Sequence, residues 1–279
     1  MLRARVYGGL AVWVDERRMP EIGGVKPRSL LAYLLLHPGP PPRARLAGRF
    51  WPSVLDTSAR GSLRSALWSI RSALDAVDGA DHLVADRLGV GLAPDLAREV
   101  DAVEVGRLLD LGDPASLERA LLLGAEPLLP DIADEWVMEE QDRQRDRMID
   151  ALMALAGAPA APGDTARALT CTRQALSRDR RRESSHRALM RRLAAVGDRG
   201  GALAAYARCR DALAGELGVP PSAETRALAE EIRAGTAPPG AHPPPPPSRP
   251  RALAAPALVG RGREMARLRT AWTGAGQGR

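Results

Sequence analysis

The residues best suited to chemistry lie between Thr57 and Val77. Arg60, Arg64 and Arg71 follow one shoulder of a helix-period segment, and Ser65, Trp68 and Ser72 fall on the face turned furthest from its apolar stripe. A guanidinium is a planar fork of donors that fits phosphate oxygens or the O6/N7 edge of guanine, and a large ring can meet a thymine methyl. That chemistry is recognition of a polyanion, not bond-making. Arg60 and Arg71 suit phosphates, and the more outward Arg64 and Trp68 suit base edges. The same pattern is compatible with a solvated helix face, and Trp68 with packing against a neighbouring hairpin. Lys26, Arg28, Arg43, Arg45 and Arg87 form an outer set at expected helix starts and a hairpin tip, where phosphates commonly bind. Each alone is what a surface charge in an arginine-rich chain looks like. Together they explain why residues 1–98 carry a net charge of +5.

The charge then reverses: residues 99–235 sum to −5 and residues 236–279 to +6. A basic head beside an acidic body suggests a polyanion-binding module joined to one of another kind. Lys26 is the sole lysine, and the Ala, Gly, Pro and Arg content resembles coding in a GC-rich genome, so arginine abundance by itself says little.

Other chemistries find no support. Cys171 and Cys209 make no disulfide framework, and the four histidines lack metal-ligand spacing. No zinc-protease, nucleophile-elbow or phosphate-loop motif is present, so neither an enzyme nor a cofactor is expected. The densest apolar run, Leu30–Leu36, is far too short to span a bilayer. The start reads as a strand rather than a secretory signal. A cytoplasmic protein, associated with the nucleoid if it binds DNA, is expected.

Elements that would position the arginines can be read from periodicity. Leu2, Ala4 and Val6 alternate on one strand face, and Leu10, Val12 and Val14 continue after Gly8-Gly9. Asp15–Arg18 reads as a turn, with Met19–Ile22 pairing back. Pro27 suits a first helical residue, and the helix runs through Ser29–His37 to Pro38-Gly39-Pro40. A second helix fits Arg43–Trp51. A third, capped by Thr57 or Ser58, runs to Val77 on a stripe of Leu63, Leu67, Ile70 and Leu74. His82–Ala85 and Leu88–Leu92 make a hairpin. Strands, three helices and a closing hairpin define an α+β winged helix-turn-helix over residues 1–98.

Residues 99–235 read as all-helical. Asp101-Ala102-Val103-Glu104 resembles a capping box, Pro114–Leu123 follows, and a long helix runs from Ile132 to Ala156. Asp164–Gly197 is then a 34-residue unit that restarts at Asp198, with Ala168-Leu169 recurring as Ala202-Leu203. Each unit reads as a helix pair, split at Asp179–Glu183 and at Gly215–Pro221, which is tetratricopeptide spacing. Residues 236–257, with prolines at 243 to 247, read as an extended linker, and residues 258–279 are too few to fold alone.

Three stretches of the head resemble the Streptomyces antibiotic regulatory protein family: Val25–His37, Phe50-Trp51-Pro52 and Ala59–Arg71. Pro127-Leu128-Leu129-Pro130, Glu135-Trp136-Val137 and Glu183–Arg226 are similar to its bacterial transcriptional activation domain. The resemblance covers residues 1–235. It implies an OmpR-type winged helix, activation of antibiotic-type secondary-metabolite genes, head-to-tail binding to direct repeats in double-stranded promoter DNA, and recruitment of RNA polymerase. Asp179-Arg180-Arg181-Arg182-Glu183 departs from the Asp-Pro usual at that turn. Leu258–Leu268 resembles the lead-in to the nucleotide-binding domain of larger members, whose phosphate loop is not reached by Arg279. Two other readings stay open: a helical interaction scaffold with a vestigial head, and the N-terminal part of a nucleotide-gated switch.

Overall fold

A computed structural model describes residues 1–37, 39–85, 89–93, 96, 98–158 and 165–235. The expected linker and lead-in, residues 236–279, lie outside the described residues, as does Arg87.

The head opens with β1 (Leu2–Arg5), β2 (Ala11–Val14) and β3 (Arg17–Arg18). Alternation places Leu2 and Ala4 inward and Arg3 and Arg5 outward. Asp15 and Glu16, at φ 45° and 66°, form the two-residue turn between Val14 and its partner Arg17. Positive φ at both turn positions matches the twist of a tight hairpin. The strand that pairs back is therefore Arg17–Arg18 and not Met19–Ile22, of which Met19 alone reaches Val12, through its N–H.

Helix α1 (Val25–Leu36) begins two residues earlier than Pro27 suggests. Proline is tolerated there because first-turn N–H groups have no intrahelical acceptor. Helix α2 spans Arg43–Phe50 and α3 spans Asp56–Asp78. The expected caps Thr57 and Ser58 lie inside α3. Leu55 holds the cap position without a side-chain acceptor, and Asp56 places its carboxylate at the positive helix end. Ala59, Leu63, Ala66, Leu67, Ile70, Leu74 and Val77 are buried, which is the expected stripe with its small neighbours.

Strands β4 (Leu83–Ala85) and β5 (Val90–Leu92) form the antiparallel hairpin, in register Leu83 to Leu92. Just before β5, at the loop end of the hairpin, Gly89 bridges to Pro42, and a Cβ there would lie 2.8 Å from the Pro40 carbonyl oxygen. The hairpin can seat against the α1–α2 loop only with glycine at that position. Strand β6 (Arg98–Val100) then pairs parallel with β1, giving the sheet order β3-β2-β1-β6. This strand has no signature in the sequence pattern, and it crosses the boundary expected at residue 98.

Seven helices follow: α4 (Asp101–Leu111), α5 (Pro114–Leu123), α6 (Glu135–Gly157), α7 (Thr165–Arg178), α8 (Glu183–Ala195), α9 (Arg199–Leu217) and α10 (Ala223–Ala234). Helix α5 has its expected bounds, with Asp113 accepting from the Ser116 N–H at 3.0 Å. Asp101 does not close a capping box. It is the first residue of α4, and its carboxylate accepts from the N–H groups of Val6, Tyr7 and Ala102 at 2.8 to 3.2 Å. The start of the helical part is thereby tied to the end of β1.

Helices α7 and α9 begin 34 residues apart and bury the same offsets, Cys171 with Ala205 and Ala175 with Cys209. The second helices do not keep the period, since α8 begins at Glu183 and α10 at Ala223. The arginine-rich turn after α7 is closed by Asp179, which accepts from the Arg181 N–H at 2.9 Å. Both cysteines are buried and free, and burial pushes their thiols up, Cys209 to about 11.

A single apolar core runs from Leu2 through α3 and α6 to Ala175, so head and helical part share one interior. A smaller cluster joins α8, α9 and α10. The seam is built by Pro127–Pro130. There the Gly8 N–H donates to the Pro127 carbonyl and the Leu129 N–H to the Val6 carbonyl, both at 2.8 Å. Leu129 is fully buried at φ 43°, a left-handed conformation that a bulky residue adopts only when its surroundings impose it.

Candidate nucleic-acid interface

Helix α3 presents its outer face as expected. Arg60, Arg64, Ser65, Trp68 and Ser72 are exposed, and Trp68 retains 69% of its surface. It is not packed against the hairpin. A largely hydrated indole on a polar face is unfavourable by the usual apolar transfer cost, so its position suits contact with a partner. Arg60 pairs with Asp56 one turn earlier at 2.6 Å, with both side chains mostly exposed. Such a pair is weak and readily exchanged for a phosphate. The Ser65 hydroxyl donates back to the Gly61 carbonyl at 3.3 Å.

Arg71 has a different role. Its Nε donates to Asp81 at 3.1 Å and its Nη2 to the Leu83 carbonyl at 3.2 Å, so it braces α3 against the hairpin. Desolvation raises Asp81, but the Arg71 hydrogen bond and the Leu83 N–H together outweigh it and hold the carboxyl below its ordinary range. The brace therefore stays charged. One turn on, His82 is buried against Asp78 at 2.8 Å and closes the same end of the hairpin.

The outer set is divided. Arg45 is exposed at the start of α2, whereas Arg43 beside it is half-buried and engaged. Lys26 and Arg28 face the helical part: Lys26 pairs with Asp134 at 2.6 Å, and Arg28 pairs with Asp131. Arg49 adds a third bridge to Glu139 at 2.7 Å. Beneath these pairs Trp136, 4% exposed, donates from Nε1 to the buried Ser29 hydroxyl at 2.9 Å and meets the Tyr33 ring edge-on, with centroids 5.3 Å apart. The structure thus gathers Arg60, Arg64, Ser65, Trp68 and Ser72 on one helix face and engages Lys26 and Arg28 elsewhere.

Sequence reasoning missed Val54 and Leu55, which are 47% and 80% exposed in the turn that leads into α3. The available signal was two apolar residues in an otherwise polar turn between Pro52 and Thr57. Among the described residues no group of three or more His, Cys, Asp or Glu could hold a metal ion, and no helix is long and apolar enough to cross a membrane.

Residues 95–233 match the family described as bacterial transcriptional activator domain. The start of that match includes β6, so the family unit takes in the last strand of the head's sheet. Among solved structures, Mycobacterium tuberculosis EmbR in complex with a low-affinity phosphopeptide is similar to this chain, with a TM-score of 0.64 and 25% identity over 84% of the chain. The chain spans 65% of the length of that structure. No curated protein matches it. The molecule is a protein that carries a bacterial transcriptional activator domain behind a small sheet-and-helix head. Through that domain and that fold it is similar to the Streptomyces antibiotic regulatory protein-like proteins.

Proposed function

We propose that this chain is a sequence-specific DNA-binding transcriptional activator whose head is an OmpR-type winged helix-turn-helix. Helix α3 enters the major groove, with Arg60 on phosphate and Arg64 and Trp68 at base edges, while the β4–β5 hairpin reaches the adjacent backbone, to which Arg87, between the two strands in sequence, would add a contact. Ser65, Ser72 and Arg45 lie within reach of the same groove walls, and Arg43 and Arg71 hold the frame. Lys26 and Arg28 join the contacts only if their acidic partners release them. The observation that carries the reading is Trp68, a largely exposed ring on the arginine-bearing face of a helix whose opposite face is buried.

The helical part, with its net negative charge and a tetratricopeptide-like stack of helix pairs, contacts RNA polymerase and a neighbouring copy. Copies on direct repeats meet head to tail, which is a heterologous contact. The targets are genes of a secondary-metabolite, antibiotic-type cluster, and the protein acts in the cytoplasm at the nucleoid, without a cofactor and without catalysis of its own.

The test is a gel shift on promoters of the chain's own gene cluster at several salt concentrations. Specific binding with a steep salt dependence is expected, because phosphate contacts release counterions. No shift on any of these promoters would sink the proposal and favour the scaffold reading.

A further inference from the structure

The β4–β5 hairpin is fastened to the rest of the head at two places, on opposite strands and at opposite ends. At its base the grip is on β4. From α3, Arg71 donates through Nη2 to the Leu83 carbonyl at 3.2 Å and through Nε to Asp81 at 3.1 Å, and Asp81 accepts from the Leu83 N–H at 3.2 Å. Nε2 of the buried His82 lies 2.8 and 2.9 Å from the two carboxylate oxygens of Asp78, the last residue of α3. The His82 carbonyl in turn accepts from the Ala93 N–H at 2.9 Å, which closes the base. At the loop end the grip is on β5. There the Val90 N–H donates to the Pro41 carbonyl at 3.2 Å, and Cβ atoms at Gly89 and Gly91 would fall 2.8 and 3.3 Å from the Pro40 backbone. Consecutive prolines at 40 to 42 fix the φ angles of this prop.

A two-stranded hairpin has little stability of its own in water, so its angle to α3 is set by what it rests against. One fastening would leave it free to swing about that point. Two fastenings, on different strands and at different ends, remove both swing and twist. Residue type and place on the helix shoulder suit Arg71 to a phosphate, yet two of its nitrogens are directed inward to the hairpin base. Its charge is met there by Asp81.

We propose that Arg71, Asp81 and Gly89 are positioning residues for DNA recognition, which hold the hairpin at a fixed offset from the outer face of α3. The hairpin's contact with the DNA backbone then falls at one set distance from the bases that α3 reads. The inference rests on the DNA-binding reading above. A contact held in place before association avoids the cost of ordering it on binding. When the hairpin is loosened, Arg64 and Trp68 still meet base edges, and the contact with the neighbouring backbone is lost.

Three variants of the full chain loosen the hairpin with different changes of charge. Arg71→Lys keeps the charge without the two-point grip, Asp81→Ala removes a negative charge, and Gly89→Ala alters none. The Arg71 and Asp81 side chains are 37% and 64% exposed, so these variants should fold, which far-UV circular dichroism checks. Each should bind a promoter fragment that the wild type shifts about fivefold to tenfold more weakly. For Asp81→Ala this is opposite in sign to the effect of charge alone, since loss of an acidic group favours a polyanion. At saturating protein, protection of guanine N7 in the major groove should persist, while hydroxyl-radical protection of the adjacent backbone disappears. In the free protein, spin labels at Thr57→Cys and Val84→Cys should give one narrow distance distribution that broadens in each variant. Both positions are exposed, and the native cysteines are buried. The inference is overturned if the variants bind as the wild type does, if Asp81→Ala binds more tightly, if both protections fade together, or if the label distances stay narrow. A wild type that shifts no promoter overturns the DNA-binding reading and this inference together, which is distinct from variants that match a wild type that binds.

Discussion

Two basic regions of the head contain the same residue types and have opposite fates. On α3, Arg64 and Trp68 stand exposed, with Arg60 held only by a neighbour one turn away. At the start of α1, Lys26 and Arg28 sit opposite Asp134 and Asp131, at the base of α6. Both regions suit phosphate by residue type. The difference lies in what the rest of the chain brings to them. The acidic helical part docks against the start of α1 and neutralises it, while α3 is left facing outward. Partly exposed ion pairs contribute little stability, about 0–1 kcal/mol each. Their effect is to set which cations remain available. The buried contacts beneath them, Trp136 on Ser29 and Asp101 on the N–H groups of Val6 and Tyr7, hold the two parts together.

The largest effect should come from breaking that docking. Trp136→Ala removes a buried indole and strands the Ser29 hydroxyl, with an expected destabilisation of about 3–5 kcal/mol in urea unfolding. A change below about 1 kcal/mol would mean that the head and helical part do not share one core. Next, Trp68→Ala should cost about 1–3 kcal/mol of specific DNA binding, read by gel shift, with little change in nonspecific binding or in stability. Equal weakening on both kinds of DNA would remove Trp68 from base recognition.

Salt dependence separates the two basic regions directly. Arg60→Ala/Arg64→Ala should reduce the slope of log affinity against log salt by about 0.9 for each phosphate that is no longer neutralised. Lys26→Ala/Arg28→Ala should leave that slope unchanged and alter stability by at most about 1 kcal/mol per pair. A slope that falls in the second variant would show that the acidic partners let go on DNA.

The smallest effect concerns Glu183, remote from both regions. Burial raises its carboxyl, but hydrogen bonds from the Thr225 and Ser222 hydroxyls and the Ser222 N–H outweigh burial and hold it below its ordinary value of 4.5. A depressed folded-state value contributes stability above the unfolded one, and that contribution disappears as pH falls through the folded one. The melting-temperature advantage of wild type over Glu183→Gln should therefore shrink on acidification below about pH 4.5. An advantage that is constant from neutral to acid pH would assign the interaction to shape alone.

Much of the fold is legible in the residues. The stripe of α3 follows from helical spacing, and α5 from a proline at its start with Asp113 before it, because both signals are local. The 34-residue offset places α7 and α9 correctly, since Ala and Cys recur where those helices pack. It fails for α10, because the longer α9 pushes the turn on to Gly218–Ser222. Strand β6 is not legible because three residues carry too short a pattern, and its pairing with β1 depends on a partner nearly a hundred positions away. The neutralising of Lys26 and Arg28 is hidden for the same reason, as Asp131 and Asp134 lie more than a hundred residues on.

The sequence by itself therefore determined which helices form, which face of each is apolar, and that a basic head precedes an acidic helical part. Those properties depend on residues a few positions apart. Only the tertiary structure decided that the two parts share one core, that Asp101 ties β1 to α4, and which arginines remain open to a ligand. A charge is available or neutralised according to its neighbours in space, and those neighbours come from distant parts of the chain.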